Sequence, residues 1–429
     1  MKTVKKQKSA EGALSVLCAL AAWSSWAAAR PAFVLPDVIY AAPDIECNVY
    51  YGSSFDSDSP NAYTFEVQAK VGCCQNERWT WTPKAADAGR SEKLVFNAWS
   101  DFGPLVSRTV TVKVARTVAD KSRKVTFALL ADSLTNARYQ DRILAAMKAA
   151  GWSGFTPVGS RSGPSAELWG VYRDGEAAHD GYGGFMPGTF LTRYAVAVDE
   201  IDNLQSEAER EQLRAFGEKI PEGQSWRRGL LKSPLVRLVD GKKTVDVQAW
   251  LDRVNGGRAP DFLLIELGVN GTCAQKEQDL VRYCEEHQVA DLRRLIGEIR
   301  KVAPKTMIAV AACSVGADQD AYGRNYGCSI SAVQSHRNLF HVSRCWRELV
   351  RELNDRGDTR VRYIHFGGAI DPSRGFIRET VPAFAHSKEI VSRIGNALHP
   401  GLEGGRQMGD AVAAFLLTRL GETEQETDK

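Results

Sequence analysis

The chain has 429 residues, which favours two or three domains and sets no limit on core size. Its 55 basic and 52 acidic residues leave a formal charge of +3, and 44% hydrophobic with 25% charged residues is an ordinary globular balance. The short cluster Lys121, Arg123 and Lys124 is no basic stripe, which argues against nucleic acid as a partner, and 37 Gly and 16 Pro exclude collagen-like or low-complexity chains.

Residues 1–29 have the three parts of an export signal. Lys2, Lys5, Lys6 and Lys8 precede the apolar run Ala13–Trp26, and Ala27-Ala28-Ala29 supplies small residues for cleavage. The run is short and serine-interrupted for a bilayer span, so no stable membrane insertion is expected after cleavage. Bulky Leu17 before Cys18 argues against a lipid anchor there. The expectation is a secreted, periplasmic or cell-surface protein.

From residue 30 to 117 the pattern has period two. Tyr63, Phe65, Val67 and Ala69 alternate with polar residues, as do Trp79 and Trp81, then Leu94, Phe96 and Ala98, then Val110, Val112 and Val114. Alternation of this kind buries one face of each strand. Turn signals such as Asp58-Ser59-Pro60 and Gly103-Pro104 separate the runs. A small all-β sandwich of immunoglobulin-like type is expected, without the Cys…Trp…Cys spacing of antibody domains. A linker at 118–123 would follow.

From residue 124 to 422 strands and helices alternate. Val125–Leu130, Phe262–Leu267, Met307–Ala312 and Val361–Phe366 are continuous apolar runs. Helical spacing relates Tyr139, Ile143, Leu144 and Met147, then Leu292, Leu295, Ile296 and Ile299, then Met408, Val412, Phe415, Leu416 and Leu420. Apolar strands between amphipathic helices predict an α/β fold with a parallel sheet covered on both faces. Residues 187–245 break the rhythm, with a charged helix around Ala208–Lys219 and a Trp226-Arg227-Arg228 patch, and read as an insertion bordering a site. Residues 423–429 read as a disordered tail.

Eight cysteines remain after removal of Cys18 with the signal. An even number in an oxidising compartment predicts at least two disulfides, the most local being Cys273–Cys284 and Cys313–Cys328, with Cys47 reaching Cys73 or Cys74. No metal site is expected, since no C-x-x-C pair exists and the seven histidines are scattered.

Ligands of open α/β sheets bind beyond the carboxyl ends of the strands, so the residues following each apolar run matter most. Ser133 follows the first, in Ala131-Asp132-Ser133-Leu134, where Asp132 or Ser133 could equally be a helix cap. His179-Asp180-Gly181-Tyr182-Gly183-Gly184-Phe185 offers unobstructed backbone N–H groups, and Gly268-Val269-Asn270-Gly271 a side-chain amide. Asn396-Ala397-Leu398-His399-Pro400 precedes the last helix. Acyl transfer needs a nucleophile, a base and oxyanion donors, and Ser133, His399, Gly184 N–H and the Asn270 amide are such parts.

In that order the four segments resemble the blocks of the SGNH (GDSL-like) hydrolases over residues 124–422. The resemblance implies a flavodoxin-like three-layer sheet with Ser133 as nucleophile and His399 as base. It also implies an oxyanion hole of Ser133, Gly184 and Asn270, and no cofactor. Three positions depart from the family: Ala131 replaces a Gly, Gly271 an Asp, and Asn396 the Asp three residues before the His. An amide at Asn396 can accept the His N–H and fix a tautomer but cannot stabilise an imidazolium as a carboxylate does. Asp371 is the alternative orienter.

Two functions follow. One is a secreted esterase acting on a small-molecule or saccharide ester, with Trp169, Tyr172, Tyr182 or Trp226 either stacking on sugar or packing in the core. The other is a catalytically weakened surface or glycan-binding protein.

Overall fold

The computed structural model describes residues 31–162, 175–193 and 233–427. The expected export signal, the charged helix around Ala208–Lys219, and Trp169, Tyr172 and Trp226 lie outside the described residues.

Residues 32–114 form two main sheets around one core. Four strands run in the order Val38–Ala41, Gly103–Val114, Ser91–Ser100 and Thr64–Gln68, and three in the order Cys47–Tyr50, Arg78–Trp81 and Cys73–Cys74. Pairing is antiparallel except at one edge, where Val38–Ala41 runs parallel to Gly103–Val114. The period-two reading holds where it was strongest. Leu94, Phe96, Ala98, Val110, Val112 and Trp79 are all buried in this core. Phe55 packs against Phe33 and Phe65 with ring centroids 4.9 and 5.1 Å apart.

The second region is built on a parallel sheet. Taking its strands in chain order as Val125–Ala131, Phe155–Val158, Phe262–Glu266, Met307–Ala311 and Val361–Ile364, the spatial order is 2-1-3-4-5. The two-residue strand Asp180–Gly181 adds to the end of the first. Such an order turns in opposite directions on either side of strand 1, opening a crevice at the carboxyl ends of strands 1 and 3. These strands are apolar throughout because helices cover both faces. Tyr139, Ile143, Leu144 and Met147 of the Tyr139–Ala149 helix are buried, as are Leu292, Leu295, Ile296 and Ile299 of Ala290–Val302. The closing helix Leu402–Thr427 buries Met408, Val412, Phe415, Leu416 and Leu420. It continues to Thr427, through most of the stretch expected to be a disordered tail.

The regions are packed into one another. Val34, Tyr40, Ala42, Ile45, Ala115 and Val118 belong to the α/β core rather than to the β core. Tyr40 meets Phe415 edge-on at 5.0 Å, Ser53 Oγ donates to the Ile370 carbonyl at 2.9 Å, and His365 Nε2 lies 2.8 Å from the Asn48 carbonyl. Arg344 forms an ion pair with Asp56, whose side chain is fully buried.

The expected disulfides do not form, and all eight cysteines of the described residues are free thiols. For Cys47 with Cys73 or Cys74 the reason is the strand order. Arg78–Trp81 lies between the strands of Cys47 and Cys73-Cys74, so those cysteines stand two strand spacings apart, about 9.5 Å. A disulfide needs Cα atoms within about 7 Å. Cys313 is buried at the end of its strand, with its thiol 3.3 Å from the Leu267 carbonyl, whereas Cys328 is exposed. Burial pushes the Cys284 and Cys313 thiols far above their ordinary range, and Cys345 to about 11.

Candidate active site

Strand 1 is followed by Asp132, extended at φ −108° and ψ −152°, and the chain then turns into the short 3-10 helix Ser133–Ala137. Asp132 does cap this helix, accepting the Leu134 N–H at 2.9 Å. Its other carboxylate oxygen accepts the Asn270 amide at 2.8 Å. The cap therefore holds the turn from one side and the strand 3 loop from the other. Ser133 stands at the first position of the helix, where its backbone N–H has no acceptor within the helix.

The glycine segment comes alongside. Tyr182 N–H bonds the Ala131 carbonyl at 3.0 Å, and Phe185 N–H closes a turn onto the Tyr182 carbonyl at 3.1 Å. Gly184 occupies that turn at φ +80°, which disfavours any side chain. Gly181 lets the segment lie against the serine turn, since a Cβ there would meet the Thr135 side chain at 2.5 Å. The N–H groups of Ser133, Gly183 and Gly184 make no hydrogen bond among the described residues. Each is available to an anion at this end of the sheet.

His399 completes the arrangement from the loop before the last helix. Its Nε2 lies 2.8 Å from Ser133 Oγ and its Nδ1 3.1 Å from Asn396 Oδ1. The Asn396 oxygen also accepts the backbone N–H of Leu398 at 3.0 Å and of His399 at 2.8 Å. Two backbone donors aimed at one side-chain atom identify it as the oxygen rather than the amide nitrogen. Nδ1 must then carry the proton, which leaves Nε2 with a lone pair facing the Ser133 hydroxyl. The tautomer a serine–histidine pair requires is thus set by a neutral side chain. Burial lowers the His399 pKa to about 4, so the ring is neutral at ordinary pH.

Asp371 does not orient the histidine. One of its oxygens accepts the N–H groups of Ser373 and Arg374 at 2.8 and 3.0 Å, and the other pairs with the Arg374 guanidinium at 3.3 Å.

The amide of Asn270 is more committed than its sequence position suggests. Its nitrogen donates to Asp132 at 2.8 Å and to the Phe185 carbonyl at 3.2 Å, which engages both hydrogens. In the resting geometry Asn270 ties together the serine turn, the glycine turn and its own loop. Tyr182 packs rather than faces outward: it stacks on Phe185 at 4.9 Å, and its hydroxyl donates to Asp180 at 2.9 Å.

Beneath the serine lies a residue that sequence reasoning passed over. Glu266 ends strand 3 opposite Ala131 and is 1% exposed. Tyr139 O–H donates to its Oε2 at 3.2 Å, while its Oε1 has no hydrogen-bond partner among the described residues. Burial and the proximity of Asp132 raise its pKa far above the carboxylate range, and burial raises Asp132 as well. The pair retains a proton near neutral pH because two adjacent buried carboxylates cannot both ionise cheaply. The signal in the sequence was a glutamate closing the otherwise apolar run Phe262–Leu267. Among the described residues no group of three or more His, Cys, Asp and Glu side chains could hold a metal ion.

No family model and no curated protein matches the chain. Among solved structures, a family 3 carbohydrate esterase of Clostridium thermocellum covers 70% of this chain and 100% of its own at 13% identity and a TM-score of 0.36. Est24, a carbohydrate acetylesterase from Sinorhizobium meliloti, covers 68% and 98% at 10% identity and 0.31. An extracellular lipase from Streptomyces rimosus covers 68% and 100% at 13% identity and 0.31. Likenesses this distant carry no weight for the chemistry of this chain.

Proposed function

We propose that the protein is a serine ester hydrolase of the SGNH type, with a flavodoxin-like catalytic region and an immunoglobulin-like β region. The observation that carries this reading is the Ser133–His399–Asn396 relay, with contacts of 2.8 and 3.1 Å, at the carboxyl ends of a parallel sheet. Ser133 Oγ attacks the ester carbonyl carbon while its proton passes to His399 Nε2. The carbonyl π pair becomes an oxyanion, accepted by the N–H groups of Ser133 and Gly184. Asn270 joins them if its 3.2 Å contact with Phe185 yields to the oxyanion. Collapse breaks the bond to the alkoxy group, which leaves with the proton from Nε2, and Ser133 holds the acyl group. Water then attacks the acyl-serine with Nε2 again taking the proton; the acyl–Oγ bond breaks as Nε2 returns that proton to Ser133 Oγ, and the carboxylic acid departs.

The Lys-rich head, apolar run and Ala27–Ala29 support export of this enzyme. An ester of a small molecule or a saccharide is the proposed substrate class. One observation favours the second reading, a weakened binding protein: Asn396 lends no charge to an imidazolium. Labelling with a fluorophosphonate separates the two. Covalent modification at Ser133, lost in Ser133→Ala, supports the hydrolase, and no labelling of a folded wild-type protein contradicts it.

A further inference from the structure

A second site lies away from the serine, where the edges of the two sheets meet. The parallel edge strand Val38–Ala41 of the β region and the edge strand Val361–Ile364 of the α/β sheet flank a cavity of about 400 Å³, and the Ala332–Asp355 helix contributes to its wall. This is the size of a pocket for a small organic ligand. None of Ser133, Gly184, Asn270 or His399 lines it.

Its lining is strongly cationic. Arg108, Lys113, Arg347, Arg351, Arg362 and Arg419 face it, against two carboxylates, Asp37 and Glu348. That local excess of four exceeds the formal +3 of the whole chain. Glu422, which pairs with Lys113 and Arg419, brings the carboxylates only to three. Arg108 pairs with Asp37, and Glu348 serves both Arg347 and Arg351. Among the described residues Arg362 is left without a carboxylate. It is half-buried, and its guanidinium donates only to the Asn354 side chain at 2.6 Å and to the Val361 carbonyl at 3.1 Å. A partly desolvated guanidinium without counter-charge is costly unless an anion completes it, and its fork matches a carboxylate, sulfate or phosphate.

We propose that this cavity binds a small polyanion, a molecule carrying two or more carboxylate, sulfate or phosphate groups, independently of the serine site. Clustered cations in a concave wall focus potential and raise the local concentration of such a ligand.

Isothermal titration calorimetry of the full chain at about 50 mM salt, where screening is weak, tests this. The probes are trigalacturonate, inorganic tripolyphosphate and neutral maltotriose. One anion should bind with 1:1 stoichiometry and a Kd below about 1 mM, and maltotriose should not bind. Trigalacturonate binding points to an acidic saccharide, and tripolyphosphate binding to a phosphate ligand. Arg362→Gln should weaken binding about tenfold with an unchanged Tm. Lys113→Gln, at the half-buried rim, gives the same reading if Arg362→Gln does not fold. Absence of binding by both anions, equal binding of maltotriose, or affinity undiminished in the folded variants would overturn the proposal.

Discussion

Where the β region meets the α/β region, buried polar groups join the two: Ser53 reaches the Ile370 carbonyl, Asp56 pairs with Arg344, and the Asn48 carbonyl meets His365. At the carboxyl ends of the parallel sheet, buried polar groups are also numerous, but where the interface leaves a side-chain atom such as Ser54 Oγ unpaired among the described residues, the sheet end leaves several backbone N–H groups on adjoining turns unused. The N–H groups of Ser133, Gly183 and Gly184 are unengaged among the described residues, and Glu266 Oε1 has no partner. The first pattern offsets the cost of burial with structure. The second leaves donors for something that arrives from outside, which is the physical mark of a binding or reacting centre.

The sharpest way to break this contrast is to remove the serine hydroxyl. Ser133→Ala should lower ester turnover by about 10⁴-fold or more, measured with an aryl acetate, while the Tm stays at the wild-type value. Loss of fold together with activity would place Ser133 with the structural polar groups instead. Asn270→Ala should cost about 10²–10³-fold in turnover, because the variant loses a donor and frees Asp132 and the Phe185 carbonyl. It should also lower stability, which Ser133→Ala should not.

The interface answers to stability rather than to turnover. Arg344→Met removes the Arg344 guanidinium from the fully buried Asp56 and should destabilise the protein by about 3 kcal/mol in urea unfolding. Its kcat at low denaturant should stay near wild type, and a fall in kcat without a fall in stability would blur the division. The smallest effect is expected at Glu266. If it is protonated in the native state, Glu266→Gln replaces one neutral group by another and should keep turnover within about threefold at neutral pH (under ~0.7 kcal/mol in barrier). A larger loss would mean that its charge acts at the serine turn.

Much of this was readable from residue pattern. The apolar runs identified the parallel strands because a sheet covered on both faces needs no alternation, and Ser133, Gly184, Asn270 and His399 stood out by following such runs or preceding the last helix. The pattern did not reveal the 24-residue helix Ala332–Asp355, whose apolar face is interrupted by His336, His341 and Cys345, or the Arg378–Pro382 and Ile390–Ile394 hairpin, whose faces are largely exposed. Cysteine number misled, since it says nothing of the strand that separates Cys47 from Cys73. Asn396 stood out by lying three residues before His399, with Asp371 as the alternative carboxylate from elsewhere in the chain. Only the side-chain geometry distinguishes an oxygen that meets His399 Nδ1 from one spent on its own turn.

The claim at the centre of this account is that an uncharged asparagine holds the base. The pH dependence of kcat/KM for an aryl acetate, wild type beside Asn396→Asp, tests it most directly. In the proposed mechanism ester cleavage needs neutral His399, so activity should fall as the pH drops through the histidine pKa. Burial puts that pKa at about 4, well below the ordinary value near 6.5. The wild-type acid limb should therefore lie near pH 4. The aspartate variant, by stabilising the imidazolium, should move it upward by about one unit or more and match or raise the plateau. An acid limb near 6.5 that does not move in Asn396→Asp would contradict the account.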